Sequence, residues 1–297
     1  MSNQIVDRLY EKVEKNGVVC VGLDTDISYI PESIINEFTN IEDAIFQYNR
    51  RIIDATYDVV ACFKLQIAYY EALGISGLIA YKKTLEYLRE RKLITIADIK
   101  RGDIAATAKM YAKAHFTGEF ESDFITLNPY MGMDSIEPYL PYLESKSKGI
   151  FALVKTSNKG SGDIQDCNID GKGTVYDHVG NMIESLGRDF LGNSGYSSLG
   201  VVVGCTHIEQ AKRLRENLKS SYFLIPGYGA QGGKAEDVAV SLRVGNGGVV
   251  NSSRKILLAY KEEENYLHFE DSSRKEAIRM REDIRRAVLE LEAKNEG

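Results

Sequence analysis

The sequence predicts an α/β fold, a (β/α)8 or TIM barrel with an added C-terminal helix. Three observations carry that prediction. Eight short, apolar, β-branched runs recur along the 297 residues. Helical patterns fill most of the intervals between them. Start-to-start intervals of roughly 22 to 51 residues match βα units. The runs are VVCVGL (18–23), DVVACF (58–63), LITIAD (93–98), DFITL (123–127), GIFALV (149–154), GVVVGC (200–205), YFLIP (222–226) and GGVVN (247–251). Each is apolar almost throughout, as a parallel strand buried on both faces requires. A doubly wound open sheet is the alternative, but VGLDTD stands where a dinucleotide fold carries Gly-x-Gly-x-x-Gly.

The helices follow from spacing. Before the first run, Ile5, Leu9 and Val13 form one stripe. Leu78, Tyr81, Leu85 and Leu88 do the same between the second and third runs. Asp134-Ser135 are placed to cap a helix beginning at Ile136, and Thr206 precedes one carrying Ile208, Ala211, Leu214 and Leu218. The interval 155–199 is too long for a single crossover. Its polar, Gly-rich GDIQDCNIDGKGT predicts an extended loop, followed by a helix near 175–186. Residues 1–260 then make the barrel, and 261–297 a helical extension packed on it. In that extension Ser273 and Glu276 are spaced as a capping box, ahead of the stripe Ala277, Met280, Ile284, Val288 and Leu291.

Composition narrows the partners. Hydrophobic residues are 43% and charged residues 27%, ordinary globular values. With 37 basic against 43 acidic residues the net charge is −6, which argues against nucleic acid or an anionic membrane surface as the main partner. No apolar run approaches the ~20 residues of a membrane span, and the first residues lack an apolar signal core, so a cytoplasmic protein is expected. Cys20, Cys62, Cys167 and Cys205 contain no CxxC pair and read as reduced thiols. The 4 histidines form no metal-binding pattern and read as surface or satisfied buried side chains.

Function in such a barrel gathers at the carboxyl ends of the strands. There the sequence supplies Asp24, Lys64, the run Asp98-Ile99-Lys100-Arg101-Gly102-Asp103, and Lys155-Thr156-Ser157-Asn158. Side chains two apart on a strand share a face, so Asp98 and Lys100 both face the mouth. Any one of these charges alone reads as a rim salt bridge. Five on three adjacent strand ends point instead to a paired, preorganised electrostatic site, because unpaired burial would cost several kcal/mol per ion. A phosphate site is indicated separately. Gly227, Gly229, Gly232 and Gly233 offer backbone N–H groups, Gln231 an amide, and Arg254 a guanidinium after the following strand. Tyr228 reads as a spacer.

The combination Asp98-x-Lys100-x-x-Asp103-Ile104, Lys64 in FKLQ, and PGYGAQGG resembles the orotidine 5′-phosphate decarboxylase family over roughly residues 15–258. NPYMG, TSN and SSR are similar to phrases of its longer bacterial-type branch. The resemblance implies a (β/α)8 homodimer that converts orotidine 5′-phosphate to UMP and carbon dioxide without metal or organic cofactor. It implies a catalytic array of Lys64, Asp98, Lys100 and Asp103, with Lys100 protonating C6 of the pyrimidine. Asp103 and Thr107 would reach the partner's site. Asp24 with Lys64 would hold ribose hydroxyls, Ser157 would contact the pyrimidine, and Gln231 and Arg254 would grip the phosphate. Ser253 stands where shorter members have glycine, so the resemblance does not carry their backbone phosphate contact over to this position. Two other readings compete: a Mg²⁺-dependent barrel acting on sugar phosphates through an enediolate, and a noncatalytic sensor of phosphorylated ligands. The complete Lys/Asp array opposes the second, and the uncharged Thr156-Ser157-Asn158 run favours a nucleotide over the first.

Overall fold

In the computed structural model, which describes residues 4–229 and 232–296, eight parallel strands close into a barrel. They are β1 (Val19–Gly22), β2 (Cys62–Gln66), β3 (Thr95–Arg101), β4 (Phe124–Leu127), β5 (Gly149–Lys155), β6 (Ser197–Val203), β7 (Ser221–Ile225) and β8 (Gly248–Ser252). Each strand pairs with its sequence neighbours, and β1 closes on β8 through Val19↔Val250. Away from their carboxyl ends the strands are largely apolar because both faces are covered: the helices pack outside, and side chains such as Phe63, Phe151 and Phe223 are fully buried. Phe124 and Phe151 stack with ring centroids 5.1 Å apart.

The helices that position the site are α1 (Ile5–Asn16), α2 (Ile41–Thr56), α3 (Gly74–Glu90), α4 (Ala105–Phe116), α5 (Val175–Gly187), α6 (Ile208–Asn217) and α7 (Phe269–Glu296). α1 lies over the amino-terminal end of the barrel. There Asp7 accepts the N–H groups of Asn193 and Ser194, and the Asn16 amide donates to the Val60 carbonyl. On α7, Ala277, Met280, Ile284 and Val288 are buried in the same apolar core as the barrel, and Phe269 stacks on Tyr48 of α2 at 4.8 Å. Burial of each large apolar side chain contributes roughly 1.5–3 kcal/mol. None of the described helices is long and apolar enough to cross a membrane.

Three local expectations change. No helix starts at Ile136; the chain makes 3₁₀ turns at Pro129–Met131, Met133–Ser135 and Glu137–Tyr139, then the short helix Leu140–Leu143. Pro141 is the reason, since inside a helix begun at Ile136 it would lack an N–H and its ring would meet the Glu137 carbonyl. Ser273 is not a cap. α7 starts a turn earlier, and the buried Ser273 hydroxyl donates to the Ile256 carbonyl at 2.9 Å, tying the helix to the end of the barrel. Thr206 precedes α6 as expected, and its hydroxyl donates to the Ser157 carbonyl at 3.0 Å. The segment after β5 is also more ordered than an extended loop. It contains short turns at Lys159–Ser161 and Gly162–Gln165, a two-stranded hairpin (Asn168–Ile169 with Gly173–Thr174), and then α5, capped by Thr174 and Asp177.

Candidate active site

A cavity of about 540 Å³ opens at the carboxyl ends of the strands. That volume lies in the range of small-ligand pockets. Asp24, Lys64, Asp98, Lys100 and Ser157 all line it. Its charged wall is a continuous chain of contacts. Lys64 Nζ, on a side chain 5% exposed, lies 3.1 Å from Asp24 Oδ1 and 3.1 Å from Asp98 Oδ2. Lys100 Nζ lies 2.6 Å from the other Asp98 oxygen. Asp24 also accepts the Gln66 N–H at 3.2 Å and the Ser253 hydroxyl at 2.7 Å.

These contacts fix the charge states of the two buried members. Burial opposes ionisation of Asp98, but the ammoniums of Lys64 and Lys100 and the Thr126 hydroxyl outweigh it and hold the carboxyl well below the usual range. Burial likewise works against the Lys64 cation, yet Asp24 and Asp98 outweigh it and keep the ammonium well above its ordinary value. The two oppositely charged groups therefore stay ionised together, and Lys100 completes the set from the cavity side with a side chain 44% exposed.

The strand alternation brings Asp98 and Lys100 together, with a local irregularity. β3 and β4 change register between Ala97 and Arg101, and Lys100 sits at φ +45°, in the left-handed region. One hydroxyl bridges this bulge. Thr126 Oγ1 accepts the Lys100 N–H at 2.9 Å and donates to Asp98 Oδ1 at 2.9 Å.

The remaining expected residues lie apart from this array. Asp103, just beyond β3, accepts the Ile104 N–H at 2.8 Å, and Thr107 is exposed on the first turn of α4; neither lines the cavity. Arg254 is exposed at the start of the short helix Arg254–Leu257 after β8, outside the cavity lining. Gln231 lies outside the described residues. The glycine loop after β7 has positive φ at Gly227, Gly229 and Gly232. However, the N–H groups of Gly229, Gly232 and Gly233 bond to carbonyls of the loop itself, so these three are not free donors. Tyr228 is not a spacer. Its ring is 7% exposed and its hydroxyl donates to Asp283 Oδ2 of α7 at 3.4 Å, anchoring the loop to that helix.

Several cavity residues escaped the sequence reading. Thr126 is the penultimate residue of β4, within reach of the same strand-end logic. Gln165 reaches the cavity from the segment after β5, where its amide brackets Thr156: Oε1 accepts the Thr156 N–H at 3.0 Å and Nε2 donates to the Thr156 hydroxyl at 2.8 Å. No local pattern announces that contact. Ser253 gains a role that its departure from glycine did not suggest. Its hydroxyl bonds Asp24, and it fits because residue 22 is glycine: a Cβ there would stand 1.9 Å from Ser253 Oγ.

The chain is similar to known proteins in both sequence and fold. The model of the orotidine 5′-phosphate decarboxylase / HUMPS family matches residues 17–269. A protein of Clostridium perfringens (strain 13) named orotidine 5′-phosphate decarboxylase is 65% identical over 285 residues, covering 96% of this chain and 99% of its own. One of the same name from Clostridium acetobutylicum is 62% identical over 285 residues, covering 96% and 100%. Among solved structures, Leishmania donovani OMP decarboxylase matches with a TM-score of 0.75 at 28% identity, covering 96% of this chain and 99% of that one.

Proposed function

The chain belongs to the orotidine 5′-phosphate decarboxylase family of carboxy-lyases, and from that premise we propose that it converts orotidine 5′-phosphate to UMP and carbon dioxide in pyrimidine biosynthesis, with Lys100 returning a proton to C6. The observation that carries this reading is the Asp24–Lys64–Asp98–Lys100 chain along one wall of a nucleotide-sized cavity.

The chemistry follows from the charges. The C6–carboxylate bond breaks and leaves its electron pair on C6, a vinyl-type centre with no adjacent π system to spread it. Lys100 supplies a fixed positive charge beside that carbon. It then gives C6 a proton, becomes a neutral amine and is reprotonated from solvent. The ammonium is held by Asp98, which is held in turn by Lys64 and Thr126, so the field is in place before the bond breaks. Asp98 near the departing carboxylate adds repulsion in the ground state that is relieved as carbon dioxide leaves. Asp24 and Lys64 hold the ribose hydroxyls, and Ser157 faces the pyrimidine.

Phosphate binding through Gln231 and Arg254 supplies remote binding energy for positioning the ring. In this reading the active unit is a cytoplasmic homodimer, and Asp103 and Thr107 act in the partner's site. Their position outside their own cavity supports that arrangement. So do the exposed apolar side chains of Ile104 (40%) and Met110 (62%) in the same segment and of Tyr130 (78%) and Met131 (49%) after β4. The reading needs no metal or organic cofactor. The test is the loss of orotidine 5′-phosphate absorbance in chelator-treated buffer. Retained activity, with none on keto-sugar phosphates, is expected; activity only on a sugar phosphate with added Mg²⁺ would favour the enediolate alternative.

A further inference from the structure

We propose that Lys155 is a positioning residue, whose buried ammonium holds the segment after β5 so that Gln165 fixes the Thr156–Asn158 wall of the cavity against the pyrimidine. The inference rests on the decarboxylase reading above and adds to it a group outside the charge array.

Lys155 ends β5 and is 0% exposed. By strand alternation it would share the cavity-facing side of Leu153, but the β5–β6 register shifts between those two residues. Leu153 lines the cavity and Lys155 does not. Its ammonium instead sits under the following segment. It donates to Asp166 Oδ1 at 2.7 Å and to Ser161 Oγ at 3.1 Å, and it lies 5.6 Å from the centre of the Tyr176 ring on α5. A buried ammonium is tolerated only when its donors are met, so these contacts are obligatory for the native loop. Both hydrogen-bond partners come from a single stretch, 161–166, which marks the ion pair as a clip on that stretch.

Gln165 is the residue next to Asp166. Its amide bonds both the N–H and the hydroxyl of Thr156, and the Thr156 hydroxyl donates to Asn158 Oδ1 at 2.6 Å. Gln165, Thr156, Ser157 and Asn158 all line the cavity. A relay thus runs from a buried cation, through Asp166 and Gln165, to the wall assigned to the base. An uncharged side chain at 155 can fill the volume but cannot hold Asp166. The segment would then sample open states, and ligand binding would have to reorder it.

The test replaces Lys155 with methionine and measures Kd for UMP and for ribose 5-phosphate, together with KM and kcat. Lys155→Met should raise the UMP Kd and the KM about tenfold or more, while kcat falls less than about threefold and ribose 5-phosphate affinity stays within about twofold. Gln165→Ala should give the same split, and the double variant should be no worse than the weaker-binding single. Should Lys155→Met fail to fold, Asp166→Ala, a change at a side chain 41% exposed, is read in the same assays and must show the same pattern. Equal weakening toward UMP and ribose 5-phosphate, unchanged UMP affinity, or fully multiplicative effects in the double variant would each overturn the proposal. A wild-type chain that neither turns over orotidine 5′-phosphate nor binds UMP would instead remove the decarboxylase reading itself.

Discussion

Lys100 is held where a lysine rarely sits, at φ +45°, a conformation that costs a non-glycine residue roughly 1–3 kcal/mol. Its ammonium is thereby directed both to Asp98 and to the cavity. Removing the side chain takes away both the proton donor and the local positive charge. Lys100→Ala is accordingly expected to lower kcat by ~10⁴-fold or more while UMP binding stays measurable by titration calorimetry. Near-normal turnover would exclude the assigned role. A second residue-scale prediction concerns a group far from the chemistry. His115 is buried at 3% exposure, its Nδ1 has no hydrogen-bond partner among the described residues, and burial lowers its pKa to about 4. It is therefore not the satisfied histidine that its sequence context suggests. The folded chain keeps His115 neutral, whereas the unfolded chain takes up a proton below pH ~6.5. The stability is full above that value and is lost as pH falls toward 4, by roughly 3 kcal/mol for this group. Denaturant melts of wild type and His115→Gln between pH 7 and pH 4 should converge by about that amount; parallel curves would contradict it. At this scale the charge array was legible, because charged residues on apolar strand ends have few places to point. Thr126, Gln165 and Ser253 were not, because uncharged polar residues gain meaning only from the partner the fold delivers.

Among the elements, the β3–β4 bulge carries most of the site's geometry. Thr126 is the only described side chain that bonds both Lys100 N–H and Asp98, so the bulge and the ion pair share one hydroxyl. Thr126→Val keeps the shape and β-branching but leaves a backbone N–H and a carboxylate oxygen each short of one partner. A loss of roughly 1–3 kcal/mol in stability is expected, with kcat reduced about 10–100-fold and KM changed far less. A variant that loses stability without losing kcat would show that the bulge serves folding alone. The elements also show what periodicity could and could not supply. Eight apolar runs are visible because parallel strands are buried on both faces. The start of α7 is hidden in the sequence because Ser273 and Glu276 imitate a capping box, while the first turn begins at Phe269, which stacks on Tyr48. The ordered segment after β5 looks extended in sequence because its order comes from the Lys155–Asp166 pair and the Gln165–Thr156 bracket, not from any apolar repeat.

For the whole molecule, the question is whether one chain makes a complete site. Lys64, Asp98 and Lys100 gather in the cavity, whereas Asp103, only three residues beyond Lys100, stays outside its lining. The intervening backbone explains the split: past the left-handed Lys100 and the last strand residue, Arg101, the chain leaves the barrel, and Asp103 precedes α4 with its carboxylate turned onto the Ile104 N–H. The apolar side chains of Ile104 and Met110 in the same segment, and of Tyr130 and Met131 after the neighbouring β4, are left in water, an arrangement that a second copy of the chain would relieve. In a two-fold dimer each site would then combine Lys100 of one chain with Asp103 of the other. Two separately inactive variants make this measurable. A Lys100→Ala chain retains Asp103, and an Asp103→Asn chain retains Lys100, so a mixed dimer holds one site with both native groups and one with neither. Equal mixing with free exchange gives half mixed dimers, and activity should return to about one quarter of wild type. Subunit exchange is followed independently with differently tagged chains on native gels. Exchange without recovered activity would mean that Asp103 serves its own chain's site, and the dimeric construction proposed here would fail.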